Sequence, residues 1–219
     1  MTLREYQAQA GLVADGLHGP MTMASQCADE RGRDLAALQS FRGSFGLLVR
    51  CEGHRGVPYV PDGSETSGVT LGFGWDLAHQ GAADLCRIWS GLWEPRERLV
   101  ELEECLGLRG AKARRWLQSH GAGRWWHTQY DAAMRLPLQA VPYWLAAIHE
   151  WPALVDEPAV AQMVALSVTY SGWLESLRRL RNAAGVGIDW ARAADAHSGS
   201  FTAGPRQKLE AELLRQVKP

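Results

Sequence analysis

The sequence carries no excess of charge of either sign, and this excludes partners that are bound through bulk charge. It holds 23 Lys and Arg residues against 24 Asp and Glu residues, a formal net charge of −1. Proteins that coat nucleic acid or an anionic membrane rely on a clear basic excess. We therefore expect no nucleic-acid partner.

Long apolar runs are also missing. A membrane-spanning helix needs about 20 mostly apolar residues, and no run in this chain approaches that length. The opening stretch, MTLREYQAQAGL, has no basic segment followed by an apolar one, so no secretory signal peptide is visible. With 46% hydrophobic and 21% charged residues, the composition is that of an ordinary globular protein with a core.

Cysteine is scarce, and the common metal-binding spacings are absent from the sequence. Cys27, Cys51, Cys86 and Cys105 form no CxxC pair, and the histidines form no HExxH motif. No metal and no cofactor are therefore predicted. We interpret the cysteines as free and mostly buried thiols of a protein made in a reducing compartment.

Tryptophan, in contrast, is abundant, with ten residues beside five Tyr and four Phe. Large rings bring a large apolar area into a core, so most of the tryptophans are predicted to be buried. A minority could line a groove in which flat rings stack on sugar faces. For the pair Trp125-Trp126 we favour a position in the core.

The spacing of apolar residues predicts an α+β fold that is mostly α. Residues 35–53 place Leu and Phe at helical spacing, which predicts one amphipathic helix. Residues 54–79 are rich in Gly and Pro between short β-prone pieces, which predicts a small β-hairpin lobe. Further helices are predicted over residues 81–92, 95–107, 110–120, 128–149, 158–182, 189–197 and 205–217.

Three polar residues around the glycine-rich lobe are the candidates for chemistry. Glu52 ends a predicted helix, and Thr70 and Asp76 follow within the lobe. Two carboxylates and a hydroxyl that meet on one substrate are the minimum for hydrolysing a glycosidic bond, because one acid protonates the leaving oxygen and one base acts on the opposite face. The spacing alone leaves a simpler alternative open, a solvated Glu at a helix end and an Asp that caps a turn.

The segment over residues 67–77 reads SGVTLGFGWDL. It resembles the phage-type lysozymes, and it is most similar to their pesticin-like branch of bacterial toxins and effectors, in which the acidic residue follows the threonine by six positions. In the phage lysozymes themselves the Asp precedes the Thr. Residues 164–172 and 204–214 resemble the buried central helix and the closing helix of the family, so the resemblance touches residues 40–215.

The resemblance implies a lysozyme-like fold with a small β-hairpin lobe, a larger helical lobe and a cleft between them. It implies that Glu52 is the general acid, that Asp76 positions or activates a water molecule, and that Thr70 helps to hold this water. The same resemblance assigns substrate contacts to Tyr59, Trp75, Tyr170 and Ser171. The family often has Asn where this chain has Ser171.

The N-terminal segment carries a second resemblance. Residues 3–22, with the loop sequence ADGLHGP, are similar to the second half of the three-helix peptidoglycan-binding module, whose first helix is missing here. A short helix is predicted from Pro20 or Met21 to Arg31. The predicted organisation is a short helical segment resembling part of a wall-binding module over residues 1–34 and a lysozyme-like catalytic domain over residues 35–219.

Together these resemblances imply a peptidoglycan hydrolase, an N-acetylmuramidase that cleaves the β-1,4 bond between N-acetylmuramic acid and N-acetylglucosamine with inversion. The biological setting would be a phage endolysin or a secreted antibacterial effector, and the second setting adds a cognate immunity or inhibitor protein as a partner. We expect a monomer that is made in the bacterial cytoplasm without a signal peptide and acts in the periplasm or on the cell wall after release or injection. Two alternatives stay open, a non-catalytic peptidoglycan-binding protein with a lysozyme-like fold and a chitinase-like glycosidase.

Overall fold

The computed structural model describes residues 2–10, 14, 29, 32, 34, 38–93, 97–171, 174–199 and 204–217. Helix makes up 66% of it, and a two-stranded antiparallel hairpin stands beside the helices, which confirms the predicted α+β, mostly α class. The finer lysozyme-like arrangement stays a prediction.

The elements of the described residues are the following, in chain order within each class. The α-helices are α1 (Leu3–Gln9), α2 (Gly46–Glu52), α3 (Ala82–Trp89), α4 (Glu97–Glu103), α5 (Gly110–His120), α6 (Gln129–Glu150), α7 (Ala159–Tyr170), α8 (Leu174–Ala184), α9 (Trp190–Ser198) and α10 (Pro205–Arg215). The strands are β1 (Thr70–Leu71) and β2 (Trp75–Asp76). Short 3-10 turns occupy Leu38–Ser40, Leu77–His79, Ala122–Trp125 and Pro152–Val155.

The chain divides into two compact units. Unit 1 consists of Met1–Ala36 and His54–Leu138, and unit 2 consists of Ala37–Gly53 and Gln139–Pro219. The functional division predicted at residue 34 stays a prediction. The loop from Asp15 to Pro20 and most of the helix predicted up to Arg31 lie outside the described residues.

The hairpin of unit 1 forms in the glycine-rich stretch that predicted it. Its strands pair in antiparallel register, with Thr70 opposite Asp76. The turn requires glycine, because Gly72 has a φ of +52° and a Cβ added there would lie 3.1 Å from Ala132 Cβ. Tyr59 adds one more antiparallel bridge to Thr70, so a third piece of chain holds the first strand in place.

Tryptophan rings fill much of the core. Eight of the nine tryptophans in the described part of the chain are at most 9% exposed, which confirms the prediction that most are buried. Trp125 is fully buried as predicted, whereas Trp126 is 61% exposed, so its assignment to the core is wrong. Trp125 N–H donates to the Arg98 carbonyl at 2.7 Å, and this bond fixes one ring inward while the next points to solvent.

Unit 2 is built around α7, nine of whose twelve residues are buried. A helix that is apolar on nearly all sides belongs in the middle of a core. Of the segment compared with a central helix, residues 164–170 form part of α7, Ser171 follows its end, and residue 172 lies outside the described residues. Helices α2, α8 and α10 pack against α7, and α9 packs against α8 and α10. This arrangement brings the end of α2 and the start of α10 to the same central helix.

The single helix predicted over residues 35–53 is wrong. The chain instead forms a short 3-10 turn and then α2, with a non-helical stretch between them. In that stretch Gly43 approaches α7 so closely that an added Cβ would lie 2.5 Å from Met163 Cγ. The Arg42 backbone N–H donates to Gln162 Oε1 at 2.7 Å. Contacts with α7 therefore replace the helical hydrogen bonds that the apolar spacing suggested.

The other predicted helices of the described regions lie within a few residues of their expected positions, except that residues 158–182 form two helices, α7 and α8. Helix α6 forms as predicted although it contains Pro137 and Pro142.

None of the described helices has the length and apolar character that a bilayer span requires. Cys86 and Cys105 are buried free thiols and Cys51 is a half-buried one, while Cys27 lies outside the described residues.

Candidate active site

Glu52 is the last residue of α2, and its carboxylate is held by an arginine from the far end of the chain. Arg206 Nη1 donates to Glu52 Oε1 at 2.5 Å. The Glu52 side chain is 19% exposed. Within the described residues no group donates to the other oxygen, Oε2. Gly53 ends the helix with a φ of +64°, a conformation that glycine adopts without strain.

Arg206 is the centre of a cluster of polar groups in unit 2. Its Nε donates to Glu210 Oε1 at 3.0 Å, and its Nη2 donates to the Ser167 carbonyl at 2.6 Å and to Ser167 Oγ at 2.8 Å. With the bond to Glu52, four of the five N–H donors of the guanidinium are used. Burial alone would lower the pKa of Arg206, but Glu52 and Glu210 raise it above its ordinary value.

Glu210 is the second acidic partner of Arg206 in this cluster. Its Oε1 accepts Ser167 Oγ–H at 2.6 Å, and its Oε2 lies 2.7 Å from His197 Nε2. Its side chain is 2% exposed. Burial alone would raise the pKa of Glu210, but the hydrogen bonds from His197 and Ser167 and the charge of Arg206 lower it below its ordinary value. The carboxylate is therefore ionised at neutral pH.

The other two predicted catalytic residues, Thr70 and Asp76, face each other across the hairpin of unit 1. Asp76 Oδ1 accepts the backbone N–H of Gly68 at 2.9 Å and that of Ala78 at 2.8 Å. The second oxygen, Oδ2, lies 4.0 Å from His79 Nε2. Asp76 thus caps the following 3-10 turn with one oxygen and keeps the other towards a partly exposed edge.

Thr70 is buried, at 3% exposure, and its Oγ1 donates to the Gly68 carbonyl at 3.2 Å. The resemblance implies that this hydroxyl helps to hold a reacting water, whereas the bond to Gly68 commits the hydroxyl hydrogen to the backbone. The lone pairs of Oγ1 remain able to accept a hydrogen bond. Thr70 can therefore serve as an acceptor at the hairpin without losing its own bond.

The residues predicted to contact substrate have different surroundings. Trp75 is 2% exposed and packs on Trp89, so it supports the hairpin and offers no free ring face to a sugar. Tyr59 is half-buried, carries the Arg55 guanidinium 4.2 Å above its ring, and lines an open groove of about 410 Å³. Of the two residues assigned in the hairpin lobe, Tyr59 thus borders a groove, while Trp75 is packed inside.

On α7, Tyr170 is 7% exposed and its hydroxyl donates to Gln139 Oε1 at 3.3 Å. Ser171 Oγ donates to the Ser167 carbonyl at 3.0 Å, and the same carbonyl accepts from Arg206. Ser171 therefore shares an acceptor, the Ser167 carbonyl, with the arginine that holds Glu52. Within unit 2, the contacts through Ser167 and Arg206 connect Ser171 with Glu52. Within unit 1, the hairpin pairs Thr70 with Asp76.

The group that holds Glu52 was not predicted from the sequence. It consists of Arg206 together with Ser167, Glu210 and His197. A signal for part of it was present, since Arg206 and Glu210 stand four residues apart after Gly204-Pro205, at the start of a helix. The helical spacing puts both side chains on one face. Nothing in the sequence indicates that this face meets the end of α2, which lies 154 residues earlier.

Among the described residues, no three His, Cys, Asp or Glu side chains are arranged to hold a metal ion. In comparisons with known proteins, no protein-family model and no curated protein matches the chain.

Proposed function

We propose that this protein is a peptidoglycan hydrolase, an N-acetylmuramidase in which Glu52 is the general acid and Asp76 the base that acts on water. The observation that carries the proposal is the hairpin register, which sets Thr70 directly opposite Asp76. This is the pair that the segment over residues 67–77 suggested. The proposal also rests on the resemblance of that segment to the phage-type lysozymes.

The proposed reaction is a single displacement. Glu52 gives its proton to the glycosidic oxygen as the bond to the anomeric carbon breaks. Water attacks that carbon from the opposite face and gives a proton to Asp76. Because water must fit between sugar and base, such a mechanism requires the two carboxyl groups to stand roughly 6.5–9.5 Å apart, and it yields the α anomer first.

Each carboxylate has one oxygen that suits its proposed role. Glu52 Oε1 is held by Arg206, so Oε2 is the oxygen that would carry the proton to the substrate. Asp76 Oδ1 is held by the backbone N–H groups of Gly68 and Ala78, so Oδ2 would receive the proton from water. A catalytic group held at one atom and open at the other is already oriented before substrate arrives.

A non-catalytic peptidoglycan-binding protein is the second candidate, and two contacts favour it. Asp76 Oδ1 caps a turn, and Thr70 Oγ1 donates to the backbone, so both residues also have structural roles that a binding protein would keep. The chitinase-like glycosidase has no such contact in its favour. A non-catalytic binding protein would release no soluble product from sacculi, and a chitinase-like glycosidase would release products that differ from those of a muramidase.

The experiment is a digest of purified sacculi, with the soluble products identified by mass spectrometry. The proposal predicts muropeptides with N-acetylmuramic acid at the reducing end. Chitin oligomers serve as the control substrate and should be poor substrates. Binding to sacculi without any soluble product would contradict catalysis, and products ending in N-acetylglucosamine would contradict the assigned bond.

The proposed partner is the peptidoglycan of a bacterial cell wall. The proposed place of action is the periplasm or the wall, reached from the cytoplasm by release in an endolysin or by injection in an effector. In the effector setting a cognate immunity or inhibitor protein would bind the enzyme. Co-expression of neighbouring genes with the active protein, scored by protection of the host from lysis, tests this setting.

A further inference from the structure

Glu210 and His197 belong to the polar cluster around Arg206 and connect to Glu52 through that arginine. We propose that Glu210 and His197 are positioning residues, which fix the guanidinium of Arg206 so that it holds the Glu52 carboxylate in one orientation. The inference rests on the proposed muramidase activity. It adds two residues that neither the sequence segments nor the proposed reaction assigns.

The contacts of Arg206 determine the plane of its guanidinium. Glu210 Oε1 fixes the guanidinium at Nε, and the two bonds to Ser167 fix it at Nη2. The remaining group, Nη1, then points at Glu52 Oε1. A free arginine side chain loses about 2 kcal/mol of rotamer entropy when it is ordered, and here the contacts to Glu210 and Ser167 order it independently of Glu52.

Glu210 is itself fixed at both oxygens. Ser167 Oγ–H and Arg206 Nε–H bind Oε1, and His197 Nε2 lies 2.7 Å from Oε2. The His197 side chain is 6% exposed and that of Glu210 2%. A carboxylate buried this deeply is costly without its partners, so these contacts hold Glu210 in place. The line of contacts therefore runs from His197 through Glu210 and Arg206 to Glu52.

A purely structural role makes a different prediction from a positioning role. If the cluster only joins α7, α9 and α10, loss of Glu210 lowers stability and affects the activity only through the fraction of folded protein. If Glu210 acts through Arg206 on Glu52, loss of its charge lowers kcat in the folded protein and leaves KM nearly unchanged. The reason is that the proton donor is misplaced while the substrate-binding groups stay in position.

The test compares Glu210→Gln with Glu212→Gln, an exposed glutamate two residues further along the same helix. Hydrolysis of sacculi is measured at a temperature at which circular dichroism shows each variant to be folded. We expect Glu210→Gln to lower kcat on the order of tenfold to a hundredfold, the size of loss that misplacement of a catalytic group by about 1 Å can cause. Glu212→Gln should keep the wild-type rate.

Two variants of His197 keep the test decisive if Glu210→Gln does not fold. His197→Ala removes the group at Glu210 Oε2, whereas His197→Gln places an amide N–H near the position of Nε2. We expect His197→Ala to lose kcat and His197→Gln to recover a part of it. Equal, wild-type rates in both folded His197 variants would overturn the role of His197, and a wild-type rate in folded Glu210→Gln would overturn the proposal.

The Glu52→Gln background separates this inference from the proposed function. If Glu210 acts through Glu52, Glu210→Gln should cause no further loss of the residual rate once Glu52 is replaced. The same fold loss in both backgrounds would contradict a positioning role. If the wild type releases no muropeptides, or if Glu52→Gln is as active as wild type, the proposed function itself fails, and this pattern differs from a failure of the positioning role alone.

Discussion

Glu52 and Asp76 share one feature, because each carboxylate is held through a single oxygen. Arg206 holds Glu52 Oε1, and the backbone N–H groups of Gly68 and Ala78 hold Asp76 Oδ1. The partners differ in kind, a charged side chain in one case and peptide groups in the other. Because the partners of Asp76 are peptide groups, two substitutions separate its capping role from its proposed role as a base.

Asp76→Asn should keep the fold and lose the activity. The amide oxygen of Asn can still accept both backbone N–H bonds, while the amide group can no longer take a proton from water. Asp76→Ala should lose the activity and also the cap, with a loss of about 1 kcal/mol of unfolding free energy. Melting temperatures and rates of muropeptide release check both variants. An active Asp76→Asn enzyme would contradict the role of base.

The burial of His127 predicts that the stability of unit 1 depends on pH. It is 1% exposed, its Nδ1 lies 3.0 Å from the Trp125 carbonyl, and burial lowers its pKa below the ordinary value of 6.5. The unfolded chain therefore takes up a proton at a higher pH than the folded one. The neutral, buried His127 therefore stabilises the folded state fully above about pH 6.5. As the pH falls below that value, the unfolding free energy falls progressively.

Denaturant unfolding between pH 8 and pH 5 measures this effect. His127→Asn keeps an N–H near the Nδ1 position and does not titrate, so it should reduce the fall of the unfolding free energy below about pH 6.5. His149→Asn, at an exposed position of α6, serves as the control and should leave the fall unchanged. Identical pH profiles in His127→Asn and wild type would rule out this source of acid sensitivity.

At the scale of elements, the neighbours Trp125 and Trp126 have opposite environments. Trp125 is fully buried and stacks on Trp116 with a centroid distance of 5.3 Å, whereas Trp126 is 61% exposed. Trp125→Ala should therefore lower the unfolding free energy by about 3–5 kcal/mol. Trp126→Ala should change it by no more than about 0.5 kcal/mol. Chemical denaturation of both variants checks the contrast, and similar losses in both would contradict the described packing.

Local signals predicted most elements, and contacts between distant residues account for the failures. The glycines from Gly68 to Gly74 indicated the hairpin, because a tight turn at Gly72 needs a positive φ. The break before α2 was missed because it depends on the contact of Gly43 with Met163. The anchor of Glu52 was missed for the same reason, since Arg206 lies 154 residues away.

At the scale of the whole molecule, the N-terminal segment is the part with two competing interpretations. Its resemblance to a wall-binding module predicts a role on the insoluble substrate. Two observations on the described residues favour a structural role in unit 1. Gln7 is 2% exposed, and Asp34 forms an ion pair with Arg87. A carboxylate paired with a buried guanidinium is costly to remove.

Deletion of residues 1–34 separates the two interpretations. The described contacts predict a lower melting temperature, because the deletion leaves the buried Arg87 with Asp84 as its remaining acidic partner among the described residues. A wall-binding role predicts in addition a selective loss of pull-down on sacculi, with hydrolysis of short soluble muropeptides retained. Equal loss on both substrates with a lowered melting point would contradict the wall-binding role. An unchanged melting point would contradict the structural one.

The central claim, that Glu52 is the acid of a muramidase, is tested most directly by the rate at which folded Glu52→Gln releases reducing ends from purified sacculi. The amide can still accept the Arg206 hydrogen bond, and Arg206 keeps Glu210 and Ser167 as partners, so the fold should persist. General acid catalysis contributes on the order of 10²–10⁴-fold, and we predict a fall of at least that size. A folded Glu52→Gln protein that releases muropeptides at nearly the wild-type rate would contradict the claim.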